Sequence, residues 1–130
     1  MEMSMEAAIY KKLPDAEFDV MCAIWSVPAP ATTPVLMRVV GNDKGWRAPT
    51  LISFLVRLED RGFIRSEKNG KERQYYPLVG QREYMTEFTK RFLDQYHGGS
   101  LKSFLDTLAG DGNLSSTQFD ELLGWLQSRA

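Results

Sequence analysis

A mainly α fold with one small β-hairpin is predicted by three observations. Apolar residues recur at helical spacing through most of the chain, one central stretch switches to an alternating pattern, and the dipeptide Asn69-Gly70 sits in the middle of that stretch. Three helical segments precede the hairpin and three follow it. Helix, helix, helix, hairpin is the order of a winged helix-turn-helix domain, here expected over residues 8–80, with a helical dimerisation module over 81–129.

Each element has a local reason. Pro14-Asp15 followed by Phe18, Met21, Cys22 and Trp25 reads as a start signal and an apolar stripe, so a helix is expected over about 15–26 with Asp15 as its N-cap. The prolines of Val27-Pro28-Ala29-Pro30-Ala31 stop it. Thr32 or Thr33 then caps a second helix with Pro34 in its first turn and Val35, Leu36 and Val39 as apolar residues, ending near Gly41. Asn42-Asp43-Lys44-Gly45 reads as a polar loop. A third helix, from about Ala48-Pro49-Thr50 to Gly62, sets Leu51, Phe54, Leu55 and Leu58 on one face. Phe63–Lys68 and Lys71–Tyr76 alternate on either side of Asn69-Gly70, the favoured two-residue turn of a hairpin.

The remainder is helical again. Met85, Phe88, Phe92 and Tyr96 stripe one helix up to Gly98-Gly99, and Leu101, Phe104, Leu105 and Leu108 stripe a shorter one up to Gly110. Ser115-Ser116-Thr117-Gln118 has the pattern of a capping box and opens a last helix bearing Phe119, Leu122, Leu123 and Leu126. None of these three can bury its stripe alone. A two-fold interface would do so, with Phe88, Phe92, Leu101, Phe104, Leu105, Phe119, Leu122, Leu123 and Leu126 as its expected residues. The alternative is one compact monomer in which these helices fold back on the hairpin domain.

Composition narrows the function. The 130 residues are 43% hydrophobic and 25% charged, as in an ordinary globular domain. No apolar run approaches the roughly 20 residues that span a bilayer, and Met1–Glu6 lacks the features of a signal peptide, so a cytoplasmic protein without membrane insertion is expected. One cysteine and one histidine cannot build a disulfide or a structural metal site, and no metal or other cofactor is expected. With neither a phosphate loop nor a nucleophile elbow, and only His97 available as an imidazole base, no catalytic residues are assigned. His97 reads as a polar residue at a helix C-terminus, Cys22 and Trp25 as core residues, Trp125 as a packing or interface residue, and Trp46 as a buttress for the third helix.

The net charge of −1 conceals an uneven distribution. Residues 1–37 hold two bases against five acids and residues 83–130 four against seven, whereas residues 38–82 hold ten against five. The middle is therefore +5. Either this is a solvated basic face, or it meets an anionic partner. If Leu51, Phe54, Leu55 and Leu58 face the core, the other side of the third helix shows Pro49, Thr50, Ile52, Ser53, Val56 and Arg57. Thr50 and Ser53 offer hydroxyls to bases or phosphates, Ile52 offers apolar contact to a thymine methyl, and Arg47 and Arg57 suit phosphates. Lys68, Lys71 and Arg73 equip the hairpin to reach a DNA backbone or minor groove. Double-stranded DNA is the expected partner, with two alternatives: Ile52 and Val56 cover a neighbouring element, or the domain is a protein-interaction module.

An ordered set of residues then carries a family resemblance. Asp15–Met21 through Ile24-Trp25, Trp46 before Pro49-Thr50, Arg57-Leu58 through Arg61-Gly62-Phe63-Ile64, and Tyr75–Val79, continuing through Gly98-Gly99 and Leu114-Ser115, resemble the penicillinase repressors of the BlaI/MecI/CopY family. The resemblance implies a homodimeric bacterial repressor of antibiotic-resistance or copper-homeostasis genes. It would bind an inverted-repeat operator through the third helix and dimerise through its C-terminal helices. In the β-lactam branch it further implies a regulatory protease acting near Phe104–Leu108, although no Asn-Phe bond stands there. The cysteine motif of the copper branch has no counterpart in Leu101–Ala130, and Pro49 and Ile52 stand where relatives often carry lysine and arginine.

Overall fold

The computed structural model describes residues 12–110, 112 and 114–130; Met1–Glu6 and residues 8–11 of the expected first domain lie outside the described residues. The elements run α1 (Asp15–Ser26), β1 (Ala31–Thr32), α2 (Thr33–Leu36), a π-helical turn (Met37–Gly41), α3 (Asn42–Lys44), α4 (Ala48–Asp60), β2 (Ile64–Asn69), β3 (Glu72–Pro77), α5 (Gln81–His97), α6 (Leu101–Gly110) and α7 (Ser116–Arg129). They form two compact units, Met1–Phe88 and Thr89–Ala130, and α5 contributes to both. This is the mainly α fold with a small antiparallel sheet that the periodicities predict.

In the first unit, α1 turns Val20, Met21, Ala23 and Ile24 inward, and α4 adds Leu51, Leu55 and Leu58, each with no exposed surface. Leu36, Phe63, Ile64, Tyr75, Val79 and Tyr84 complete the same core. Burial of a leucine or phenylalanine side chain contributes about 1.5–3 kcal/mol, so these residues dominate the stability of the unit. Tyr84 is its aromatic hub, with ring centroids 5.7 Å from Phe18, 5.9 Å from Trp25, 5.7 Å from Phe63 and 6.0 Å from Phe88. Trp25 packs against this core while its Nε1 donates to the Val79 carbonyl at 2.9 Å, tying α1 to the segment after β3.

Several local details depart from the sequence reading. Pro14, not Asp15, precedes the first turn of α1; its carbonyl accepts from Phe18 N at 2.9 Å, and Asp15 stands inside the turn, where its charge suits the helix dipole. Asn42-Asp43-Lys44 is helical rather than a loop, because the π-helical turn carries the backbone through Gly41 and the chain leaves the helix only at Gly45, at φ +72°. Thr32 caps α2 as expected, its Oγ1 accepting from Val35 N at 3.4 Å. A short strand absent from the sequence reading, β1, pairs antiparallel with β3 through Ala31↔Tyr75 and Thr32↔Gln74, giving the sheet order β1-β3-β2. Cys22 is only half-buried, since α1 turns its flanking residues Met21 and Ala23 to the core instead.

The hairpin turn is also displaced by one residue. Asn69 pairs with Glu72 and Lys68 with Arg73, leaving Gly70-Lys71 as the two-residue turn instead of Asn69-Gly70. Gly70 alone has positive φ, at +67°, the requirement of a type II′ turn with glycine first, whereas the type I′ turn signalled by Asn-Gly needs positive φ at both central residues.

The second unit has a different character. None of its described residues is fully buried. Phe92 and Phe104 pack edge to face with centroids 6.1 Å apart, His97 lies 5.4 Å from Phe104, and His97 Nδ1 and Ser103 Oγ share a 3.1 Å hydrogen bond. The capping box of α7 is formed: Ser115 Oγ accepts from Gln118 N at 3.2 Å and Gln118 Oε1 from Ser115 N at 2.8 Å.

Candidate nucleic-acid interface

The surface with the most partner-like chemistry is built on α4. Leu51, Leu55 and Leu58 fix the rotation of this helix by facing the core, and Phe54 is wedged edge-on against Trp46 at 4.9 Å. Trp46 thus buttresses α4 as its position in the sequence predicts. The opposite side, Pro49, Thr50, Ile52, Ser53, Val56 and Arg57, is exposed. Ile52 is 42% and Val56 53% accessible, and among the described residues neither belongs to the core or packs against it. Arg47 precedes the helix and is exposed, with its carbonyl accepting from Thr50 N and Leu51 N.

The end of α4 delivers the chain directly into the wing. Gly62 N donates to the Glu59 carbonyl and Phe63 N to that of Leu58, both at 3.0 Å, which is a Schellman motif with Gly62 at φ +83°. Its usual apolar contact is supplied by Leu58 and Phe63, both without exposed surface. A polar chain reinforces the corner: Arg73 Nη1 donates to Ser66 Oγ at 2.9 Å, and Ser66 Oγ donates to Glu59 Oε1 at 2.7 Å.

Electrostatics sorts the ten basic residues of the middle segment. Lys44 pairs with Asp19 at 3.3 Å, Arg61 with the buried Glu17 at 2.8 Å, and Arg65 with Glu67 at 2.7 Å while stacking 4.0 Å from the centre of the Tyr76 ring. Those three are committed within the fold. Arg47, Lys68 and Lys71 form no ion pair among the described residues, and the guanidinium of Arg57 lies over the Phe54 ring at 5.9 Å. Lys71 stands at the turn itself. Lys68 and Arg73 are direct cross-strand partners, an arrangement that is destabilising in isolation and is relieved by an anion.

The predicted site residues therefore separate by element. Arg47, Thr50, Ile52, Ser53 and Arg57 belong to the exposed side of α4 and its approach, and Lys68, Lys71 and Arg73 to the wing. Of the residues expected at a dimer interface, Phe88 is stacked on Tyr84 and packs against the first unit's core. Phe92, Phe104, Leu105 and Leu122 are half-buried in the second unit, and Leu101, Phe119, Leu123 and Leu126 are exposed. Sequence reasoning missed the Glu17–Arg61 pair; the one available signal was an acid, Glu17, beside the apolar stripe of α1. Among the described residues, no group of three His, Cys, Asp or Glu side chains could hold a metal ion, and no helix is long and apolar enough to cross a membrane.

Packed helices, a three-stranded sheet with a β2–β3 wing, and an exposed α4 face beside cations that form no ion pair among the described residues define a winged helix protein. Residues 13–128 match the family described as Penicillinase repressor, and the chain belongs to that family. It is 28% identical over 115 residues to the penicillinase repressor of Bacillus licheniformis, covering 86% of this chain and 89% of the relative. It is 26% identical over 118 residues to the methicillin resistance regulatory protein MecI of Staphylococcus aureus strain N315, covering 91% and 95%. An uncharacterized 16.5 kDa protein of Latilactobacillus sakei is 25% identical over 115 residues, covering 88% and 78%.

Proposed function

We propose that this chain is a homodimeric, sequence-specific transcriptional repressor acting in the cytoplasm on an inverted-repeat DNA operator. Residues 8–80 bind DNA and residues 81–129 dimerise. The observation that carries the reading is the coincidence of an exposed α4 face with cations that form no ion pair among the described residues, Arg47 before the helix and Lys68 and Lys71 on the wing. In the docking mode of a winged helix, α4 enters the major groove with Thr50, Ile52 and Ser53 toward bases, Arg47 and Arg57 lie at phosphates, and the wing brings Lys68, Lys71 and Arg73 to the backbone.

Two-fold symmetry of the protein would be mirrored in the operator. The exposed apolar residues of α6 and α7, Leu101, Phe119, Leu123 and Leu126, support self-association because a lone copy leaves them in water. A regulatory protease acting near Phe104–Leu108, in the middle of α6, would separate the last helix from the rest and so weaken repression. Names of the relatives support antibiotic-resistance genes as the regulated class.

Selection from a random duplex library with the full chain tests this reading. An enriched inverted repeat, bound by a dimer with affinity that falls steeply as salt rises, is the expected result. Salt-independent binding or no enrichment would leave the domain as a protein-interaction module.

A further inference from the structure

We infer that α4 reads thymine methyl groups through an apolar row formed by Pro49, Ile52 and Val56, so that the preferred half-site places thymines one to two steps apart beneath this row. The inference rests on the proposed entry of α4 into a major groove. With 3.6 residues per turn, positions 49, 52 and 56 line one side of the exposed face and positions 50, 53 and 57 line the next. The first row is wholly apolar. The second is hydroxyl, hydroxyl and guanidinium, from Thr50, Ser53 and Arg57.

Two β-branched residues on a solvent-facing helix surface cost helix propensity and expose apolar area, so a contact that buries them offsets both. Ile52 and Val56 are 42% and 53% accessible and one turn apart. Their surroundings choose the partner. Arg47 lies on one side, Arg57 borders the row, and Lys68, Lys71 and Arg73 stand on the wing, so the partner is anionic at its edges and apolar where it meets the row. In the major groove of DNA the apolar group on a base edge is the thymine C5-methyl. The four residues from Ile52 to Val56 advance about 6 Å along α4 and one base step is about 3.4 Å along a strand, so the two side chains reach bases one to two steps apart.

The test removes the methyl and nothing else. Each thymine of the selected half-site is replaced in turn by deoxyuridine, and affinity is measured for the full-length wild type, Ile52→Ala, Val56→Ala and Ser53→Ala; melting curves check that each variant is folded. Wild type is expected to lose about fourfold per methyl it reads, the worth of one buried methyl group. Ile52→Ala and Val56→Ala are expected to become insensitive at one thymine each, while Ser53→Ala keeps both effects. Thymines that tolerate deoxyuridine without loss, or alanine variants with undiminished sensitivity, would overturn the inference and leave operator binding intact. If selection enriches no motif, both the inference and the reading beneath it fall, and the row is left to a protein partner with an acidic rim.

Discussion

Arg61 Nε donates to Glu17 Oε1 at 2.8 Å, joining the residue just after α4 to a carboxylate only 3% exposed on α1. The pair links the C-terminal end of α4 to α1, and neither residue belongs to the candidate interface. Breaking it leaves a carboxylate buried without its cation, so Arg61→Ala is expected to cost about 3 kcal/mol, measured by urea unfolding. Arg61→Lys should recover only part, because an ammonium lacks the planar donor geometry. Equal stability of wild type and Arg61→Ala would show that the pair is dispensable.

The opposed cations of the wing predict a separation of stability from binding. Lys68→Gln removes a like-charge pair from the hairpin, so the free protein should be stabilised by a few tenths of a kcal/mol or unchanged, while its DNA affinity falls. Lys71→Ala, at the turn, should weaken binding uniformly across sequences and reduce the salt slope by about 0.9 per lost phosphate contact. Fluorescence anisotropy over a salt series measures both. A Lys71→Ala slope identical to wild type would remove the wing tip from the interface.

Self-association is expected to depend on the second unit. Leu122→Asp should shift sedimentation at micromolar concentration toward monomer, since it leaves an unpaired charge in an apolar interface. Deleting residues 100–130 should do the same. A dimer unchanged by both would locate the contact elsewhere in the chain.

Cys22 gives a pH-dependent expectation. Burial first, and then the nearby negative charge of Asp19, raise its thiol pKa above the ordinary value of 9.0. Because a raised pKa means less thiolate at any given pH below it, alkylation by iodoacetamide should be slow at neutral pH and accelerate only at pH values above those of a free cysteine. Asp19→Asn removes the second cause, so its alkylation profile should move to lower pH. An unshifted profile would mean that the charge of Asp19 does not reach the thiol.

How far the sequence could be read depended on whether a feature had a period. Leu51, Phe54, Leu55 and Leu58 repeat at helical spacing, and that repeat alone defines both the buried and the exposed side of α4. The capping box of α7 is equally local. In contrast, the pairing of β1 depends on Tyr75 and Gln74, more than forty positions away, and two residues carry no alternation to detect. Asn69-Gly70 misplaced the turn because its dipeptide preference competes with the cross-strand register, and the register prevails. The commitment of Arg61, Arg65 and Lys44 to carboxylates was invisible in a charge count for the same reason: partners are chosen by the fold.

The corner at Gly62 fixes a distance as well as a direction. Only Arg61 stands between the end of α4 and Gly62, both amides that close the corner are engaged, and the Arg73–Ser66–Glu59 chain braces it from the wing. Helix and wing therefore behave as the two jaws of a fixed caliper. The backbone distance between the exposed side of α4 and the wing turn at Lys71 is a property of this corner. Gly62→Ala, which forces a left-handed backbone on a residue with a Cβ, should cost about 1–2 kcal/mol and loosen the gauge before it removes any contacting group. In the proposed complex, the distance from groove contact to backbone contact within each half-site is set by a single glycine that touches no DNA.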